Sequence, residues 1–232
     1  GSDYSHAEGK NTFLNHEAAH VEGSGSSAIG IASHSEGVSS ITYGNVSHAE
    51  GWKTMASDIA SHSEGNSTSA IGLASHSEGL FTYTSGRSSH VEGSGCSAID
   101  SYSHAEGYAC FISGTSVNHA EGQGTSGIGN GSHSEGHATL ITGYACHAEG
   151  EYSVAMGNHS HAEGGTLASS DVTYELSGTS AIGEASHTEG YMTITNGGIS
   201  HAEGKLSTTY GIASHAEGER TAASGNLSHA EG

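Results

Sequence analysis

The chain contains no proline and only five lysines and arginines against twenty-five aspartates and glutamates, a formal charge of -20 over 232 residues. Without proline, every backbone N–H is free to join a hydrogen-bonded ladder. A surface so poor in cations cannot neutralise a phosphate backbone, which excludes nucleic acid as a partner. Leu, Ile, Val and Phe make up only about 13% of the residues, too few for an ordinary globular core. No apolar run approaches the roughly eighteen residues that a membrane helix needs, so no membrane insertion is expected. Three cysteines give no even disulfide framework. Taken alone, this composition favours disorder.

What the chain does have overrules that prior. A His-x-Glu-Gly core with a small residue between His and Glu occurs sixteen times, beginning at His6 and ending at His229. The spacing is fourteen residues at every step except two, fifteen from His104 to His119 and twenty-six from His161 to His187. A disordered chain has no reason to hold Gly at a fixed phase, whereas a coil that turns at the same place does. So short and strict a period predicts a solenoid of stacked coils. One elongated domain over 1–232 is expected, cut from a longer fibre, with Gly1-Ser2 as a cloning scar.

A weaker half-repeat lies seven residues away, where Ser27-Ala28-Ile29-Gly30 matches the phase of His34-Ser35-Glu36-Gly37. Each coil is therefore expected to hold two short strands and two turns. Asp or His replaces the half-repeat Gly at His16, Asp58 and Asp100, and both tolerate positive φ, so the turn is expected to need that conformation there. Side chains on a strand alternate between faces. Ser33, Ser35, Ser26, Ala28 and Gly30 then point inward into a core only wide enough for small residues, and Ser27 and Ile29 point outward. The outward His and Glu form a ladder: His34 and Glu36, His48 and Glu50, His62 and Glu64, His76 and Glu78. Cys96, Cys110 and Cys146 fall where other coils carry Ser or Thr, and read as small inward side chains.

Segments such as SSAIGIASHSEG at 26–37, TSAIGLASHSEG at 68–79 and TSAIGEASHTEG at 179–190 resemble the fourteen-residue head repeats of trimeric autotransporter adhesins. The SHAEG form at 5–9, 47–51 and 103–107 resembles repeats of bacteriophage tail-fibre and neck-appendage proteins. The resemblance spans almost the whole chain. It implies a left-handed parallel β-roll, three chains side by side, and a role in attachment on a virion tail or cell surface, hence extracellular. The adhesin heads carry small residues where this chain has His and Glu, so no functional residue transfers.

The thin core independently favours a homotrimer, since burying Ala and Ser yields little of the roughly 25 cal/mol per Å² that apolar area supplies. The invariant His and Glu columns are expected to face neighbouring chains. Other partners expected are a glycan or protein of a host surface. No catalytic residue and no cofactor is expected, because identical Glu at every level marks no single cleft. No metal site is expected either, since one His-Glu pair per level supplies too few ligands at any one level. The alternatives are a polysaccharide-degrading enzyme on the same scaffold, a metal-binding solenoid and an ice-binding one. The last would need outward Thr columns, whereas Thr54, Thr68 and Thr82 fall in the inward phase.

Two further expectations concern the ladder and the long insertion. Mutual hydrogen bonding within the ladder predicts raised His and lowered Glu pKa values, with stability greatest in mildly acidic buffer. The stretch from Gly165 to Gly178 replaces the two residues that normally join coils, and its length demands a loop or hairpin outside the roll. There Asp171, Tyr174 and Glu175 form a candidate binding loop, with an aromatic platform beside acceptors.

Overall fold

The structure, a computed structural model, describes residues 3–165 and 178–232. The chain divides into two units, Gly1–Ile112 and Ser113–Gly232. In sequence, the division falls within the single fifteen-residue step between His104 and His119. Each unit is all-β, a parallel β-solenoid with one long and one short strand per coil. In the first unit the long strands run from His6–Lys10 to His104–Tyr108 and the short ones from Phe13–Leu14 to Phe111–Ile112. In the second they run from His119–Gln123 to His229–Glu231 and from Ser126–Gly127 to Ala222–Ala223.

The register follows the sequence period. His34 pairs with His48 and Glu36 with Glu50, and on the short strands Ile41 pairs with Met55. The faces follow the alternation: Ser35, Ala28 and Thr42 are fully buried, while their neighbours His34, Ser27 and Ile41 are half-buried and face outward. The largest side chains fully buried are Ile112 and Ile141, and most of the remaining interior is Ala, Ser and Thr. Thr54, Thr68 and Thr82 lie inside, so they make no outward Thr column.

A polar interior must satisfy its own hydroxyls. Ser26 donates to the Gly37 carbonyl at 3.0 Å and Ser40 to that of Gly51 at 3.0 Å. Ser33 and Ser47 donate to Gly30 and Gly44 at 2.8 and 2.6 Å, closing the turn before the long strand. Ser63 pairs with Thr68 at 2.8 Å. The cysteines take over the same duties, Cys96 donating to Gly107 at 3.3 Å and Cys146 to Gly157 at 2.9 Å. All three are buried and none is in a disulfide. Hydrogen bonding with the Cys110 thiol, and then burial, push the Cys96 pKa far above the usual thiol range, so Cys96 is an unreactive packing residue.

The two glycine columns are fixed by different constraints, and one differs from expectation. The motif glycines have positive φ, for example 107° at Gly37 and 110° at Gly79, and a Cβ there would overlap the carbonyl oxygen of the next motif glycine. The half-repeat glycines do not have positive φ. Nor do His16, Asp58 and Asp100; the left-handed residue comes two positions later, at Ala18, Ala60 and Tyr102, with φ of 53°, 55° and 59°. Space rather than φ is what favours glycine at the half-repeat, since a Cβ on Gly30 would overlap the Gly44 carbonyl oxygen.

A left-handed conformation costs a non-glycine residue about 1–2 kcal/mol. Here the stacking fixes it. The N–H of most such residues donates to a carbonyl of the coil before, as Val46 does to Ile31 at 2.8 Å and Ser39 to Ser24 at 2.9 Å.

The insertion leaves the register of the second unit intact. His161 pairs with His187 and Val154 with Ser180, although twenty-six residues separate the two histidines.

Candidate functional site

The feature with the most chemistry per unit area is the outward face of the long strands. Within each unit, parallel in-register pairing places each motif histidine over the last, at the strand spacing. Ring centroids lie 4.6–4.9 Å apart from His6 to His104 in the first unit. They lie 4.7–5.0 Å apart from His119 to His229 in the second. Most of these rings are stacked, and the His215–His229 pair meets edge to face at 77°.

Beside each ring stands the Glu two residues on, on the same side of the strand. His20 Nε2 lies 2.9 Å from the Glu22 carboxylate and His48 Nε2 lies 3.4 Å from that of Glu50, both within hydrogen-bonding distance. At His34, His62 and His76 the separations from Glu36, Glu64 and Glu78 are 3.5, 3.7 and 3.6 Å. In these three the Nε2 atom is buried and makes no hydrogen bond. The ladder residues of the sequence reading thus come together as one column, His34 to His76 and Glu36 to Glu78.

At five histidines of the column the pKa shift is the reverse of the one expected. Burial, followed by the neighbouring imidazoles, holds His48, His76, His161 and His201 below the usual histidine value, with the glutamates opposing only in part. His90 is lowered by burial and then by His104. The reason is geometric: a ring sandwiched at about 4.7 Å on both sides has lost water from both faces, and its nearest neighbours would carry the same charge. The distances suit ion pairs, but at neutral pH these five imidazoles are uncharged and meet the carboxylates as neutral rings.

Because the column repeats, ligand atoms of adjacent levels also converge. One atom each of His6, His20 and Glu22 lies within 4.8 Å of the others, as do those of His187, Glu189 and His201 and of His201, Glu203 and His215. Considering each level by itself overlooked these sets, although a fourteen-residue period already implies that successive imidazoles stack at the strand spacing. Elsewhere on the surface, Lys205 donates to Glu219 at 3.0 Å and holds its carboxyl below the usual range.

A shallow cavity of about 270 Å³ lies in the second unit, lined in part by Asn130, Thr142, Tyr144 and Asn158. No acid, histidine or cysteine lines it. Asp171, Tyr174 and Glu175 lie outside the described residues.

No protein-family model matches this chain, and no curated protein matches it either. What the column and the rest of the surface do must therefore be read from their chemistry. Among the described residues no helix is long and apolar enough to cross a membrane.

Proposed function

We propose that the chain is a structural segment of a trimeric attachment fibre, a left-handed roll placed side by side with two copies of itself on a virion tail or cell surface. One observation carries this reading: among the described residues no aromatic side chain is buried, and most of the large apolar ones lie outside. Tyr43, Trp52, Tyr83, Tyr108 and Phe111 are all exposed, while the interior is filled mainly by Ala, Ser and Thr. Large apolar side chains exposed at many levels of a stack with so thin a core call for a cover, and identical copies supply one at every level.

Tyr83 and Phe111 lie on the short strands, Tyr43 directly follows one, and Trp52 and Tyr108 close the long strands. The neighbouring copies accordingly cover the apolar columns, and the His–Glu face meets solvent, the opposite of the sequence-based assignment. Apolar area gains from being covered, whereas half-exposed carboxylates lose hydration.

Light scattering tests the assembly. Three chains of 23.3 kDa give a particle of about 70 kDa. A folded species that stays at the mass of one chain on dilution and concentration overturns the trimer. Attachment is tested by binding of the fluorescent protein to bacterial and animal cell surfaces, with and without glycan removal. A parallel screen for depolymerised host polysaccharide separates a fibre from an enzyme on the same scaffold.

A further inference from the structure

We propose that the His–Glu column holds divalent transition-metal ions at three imidazole–carboxylate–imidazole sets: His6, His20 and Glu22; His187, Glu189 and His201; and His201, Glu203 and His215. Within each set one donor atom per residue lies within 4.8 Å of the other two. Metal–nitrogen and metal–oxygen bonds of about 2.0–2.2 Å put tetrahedral ligands roughly 3.4 Å apart. His20 and Glu22 are already at 2.9 Å and His201 and Glu203 at 3.6 Å. The remaining closure is between the two rings, and both sit on the outward face, where rotation about their side-chain torsions moves Nε2 without disturbing the strand.

A second observation points the same way. The Nε2 atoms of His187, His201 and His215 are buried and make no hydrogen bond. A buried nitrogen with nothing to bond is costly, and a cation between two such rings removes the cost in both. The rest of the surface favours cations, with a formal charge of -20. Two imidazoles and one carboxylate select zinc, nickel or copper over magnesium and calcium, which prefer all-oxygen shells of higher coordination number.

The geometry also sets the stoichiometry. A neutral imidazole offers one lone pair at Nε2, so His201 cannot serve two ions at once. The two overlapping sets therefore take one ion between them, and the chain takes two in all.

Calorimetric titration of the chelator-stripped full chain with zinc chloride at pH 7.5 tests this, with magnesium chloride as the comparison. Two tight equivalents of zinc per chain are expected, and no magnesium binding. His201→Gln should leave one equivalent, His20→Gln should leave one, and the double variant none. Glu189→Gln alone should keep two, because His201, Glu203 and His215 remain, whereas Glu189→Gln with Glu203→Gln should leave one. Unchanged zinc stoichiometry in His201→Gln, an equal response to magnesium, or about one equivalent for every coil would each overturn the proposal. Circular dichroism confirms that each variant is folded. If His201→Gln is not, the two exposed-face glutamate variants carry the same test.

Discussion

The two outward faces of each coil are built on the same alternation but carry opposite chemistry. On the long strand the outward residues of every motif are His and Glu, polar and at most half-buried, and the next residue is a glycine whose φ and surroundings admit nothing else. On the short strand the same phase holds Phe13, Ser27, Ile41, Met55, Ser69, Tyr83, Ser97 and Phe111 in turn. The difference shows where the coil is constrained. The inward positions demand small size on both strands, but only the long strand fixes what lies outside, because there each side chain is wedged between copies of itself. The short strand, two residues long, tolerates any side chain that can rest on the surface.

Breaking the glycine column should have the largest effect. Gly79→Ala must adopt a φ of 110° and place a methyl group against the Gly93 carbonyl, and is expected to lose more than about 4 kcal/mol in a urea titration or to fail to fold. Gly95→Ala is the control. Its φ is 68° with nothing within 4 Å of the added carbon, and Phe81 and Ala109 hold the same conformation in adjacent coils, so its cost should stay near 1 kcal/mol. Equal costs at the two positions would remove the distinction between a glycine required by space and φ and one merely convenient.

Assembly separates the faces next. Replacing Tyr43, Tyr83 and Phe111 together by Ser should lower the mass in solution from about 70 kDa towards the 23.3 kDa of one chain. His76→Gln with Glu78→Gln should leave the mass unchanged. The reverse result would put the His–Glu face at the interface.

A smaller effect is expected from pH, on the polar face alone. For His48, His76, His90, His161 and His201 the folded value lies below the unfolded one, so the unfolded chain binds more protons wherever they differ. Their contribution is complete above about pH 6.5 and is lost as pH falls through that value towards the lower folded one. In chelator-containing buffer the Tm should be level from pH 8 to about 6.5 and decline below. Gln at all five positions should flatten the decline, and a maximum near pH 5.5 would mean the histidines are stabilised as cations after all. The smallest effect belongs to Lys205→Ala. It removes the cation that lowers the Glu219 pKa, but the pair is solvent-exposed and screened, so no measurable change in Tm is expected.

The coil, the register and the assignment of faces were legible in the sequence because each follows from a single number. A period of fourteen stacks His34 on His48, and a period of two sends Ser35 in and Glu36 out. What depends on distances between coils was not legible. Gly30 and Gly37 look alike in sequence, yet one is excluded from bearing a side chain by a neighbouring carbonyl alone and the other also by its own φ. A His beside a Glu suggests a raised pKa, and at His48 and His76 burial, then the imidazoles above and below, reverses the sign. The ligand sets centred on His20 and His201 likewise arise between levels, where no single repeat contains them.

In-register repetition has a consequence for how the chain reaches this state. Because His34 would stack on His62 as readily as on His48, a nascent coil can dock one full repeat out of place and extrude fourteen residues, losing a single layer. The second unit closes its ladder although twenty-six residues separate His161 from His187, so a longer connection need not stop the stack from growing. Such degenerate dockings are kinetic traps of nearly native energy. The few bulky interior residues break the degeneracy: Val21, Val91, Ile112 and Ile141 fit well only at their own levels, and act as alignment marks on an otherwise uniform scale.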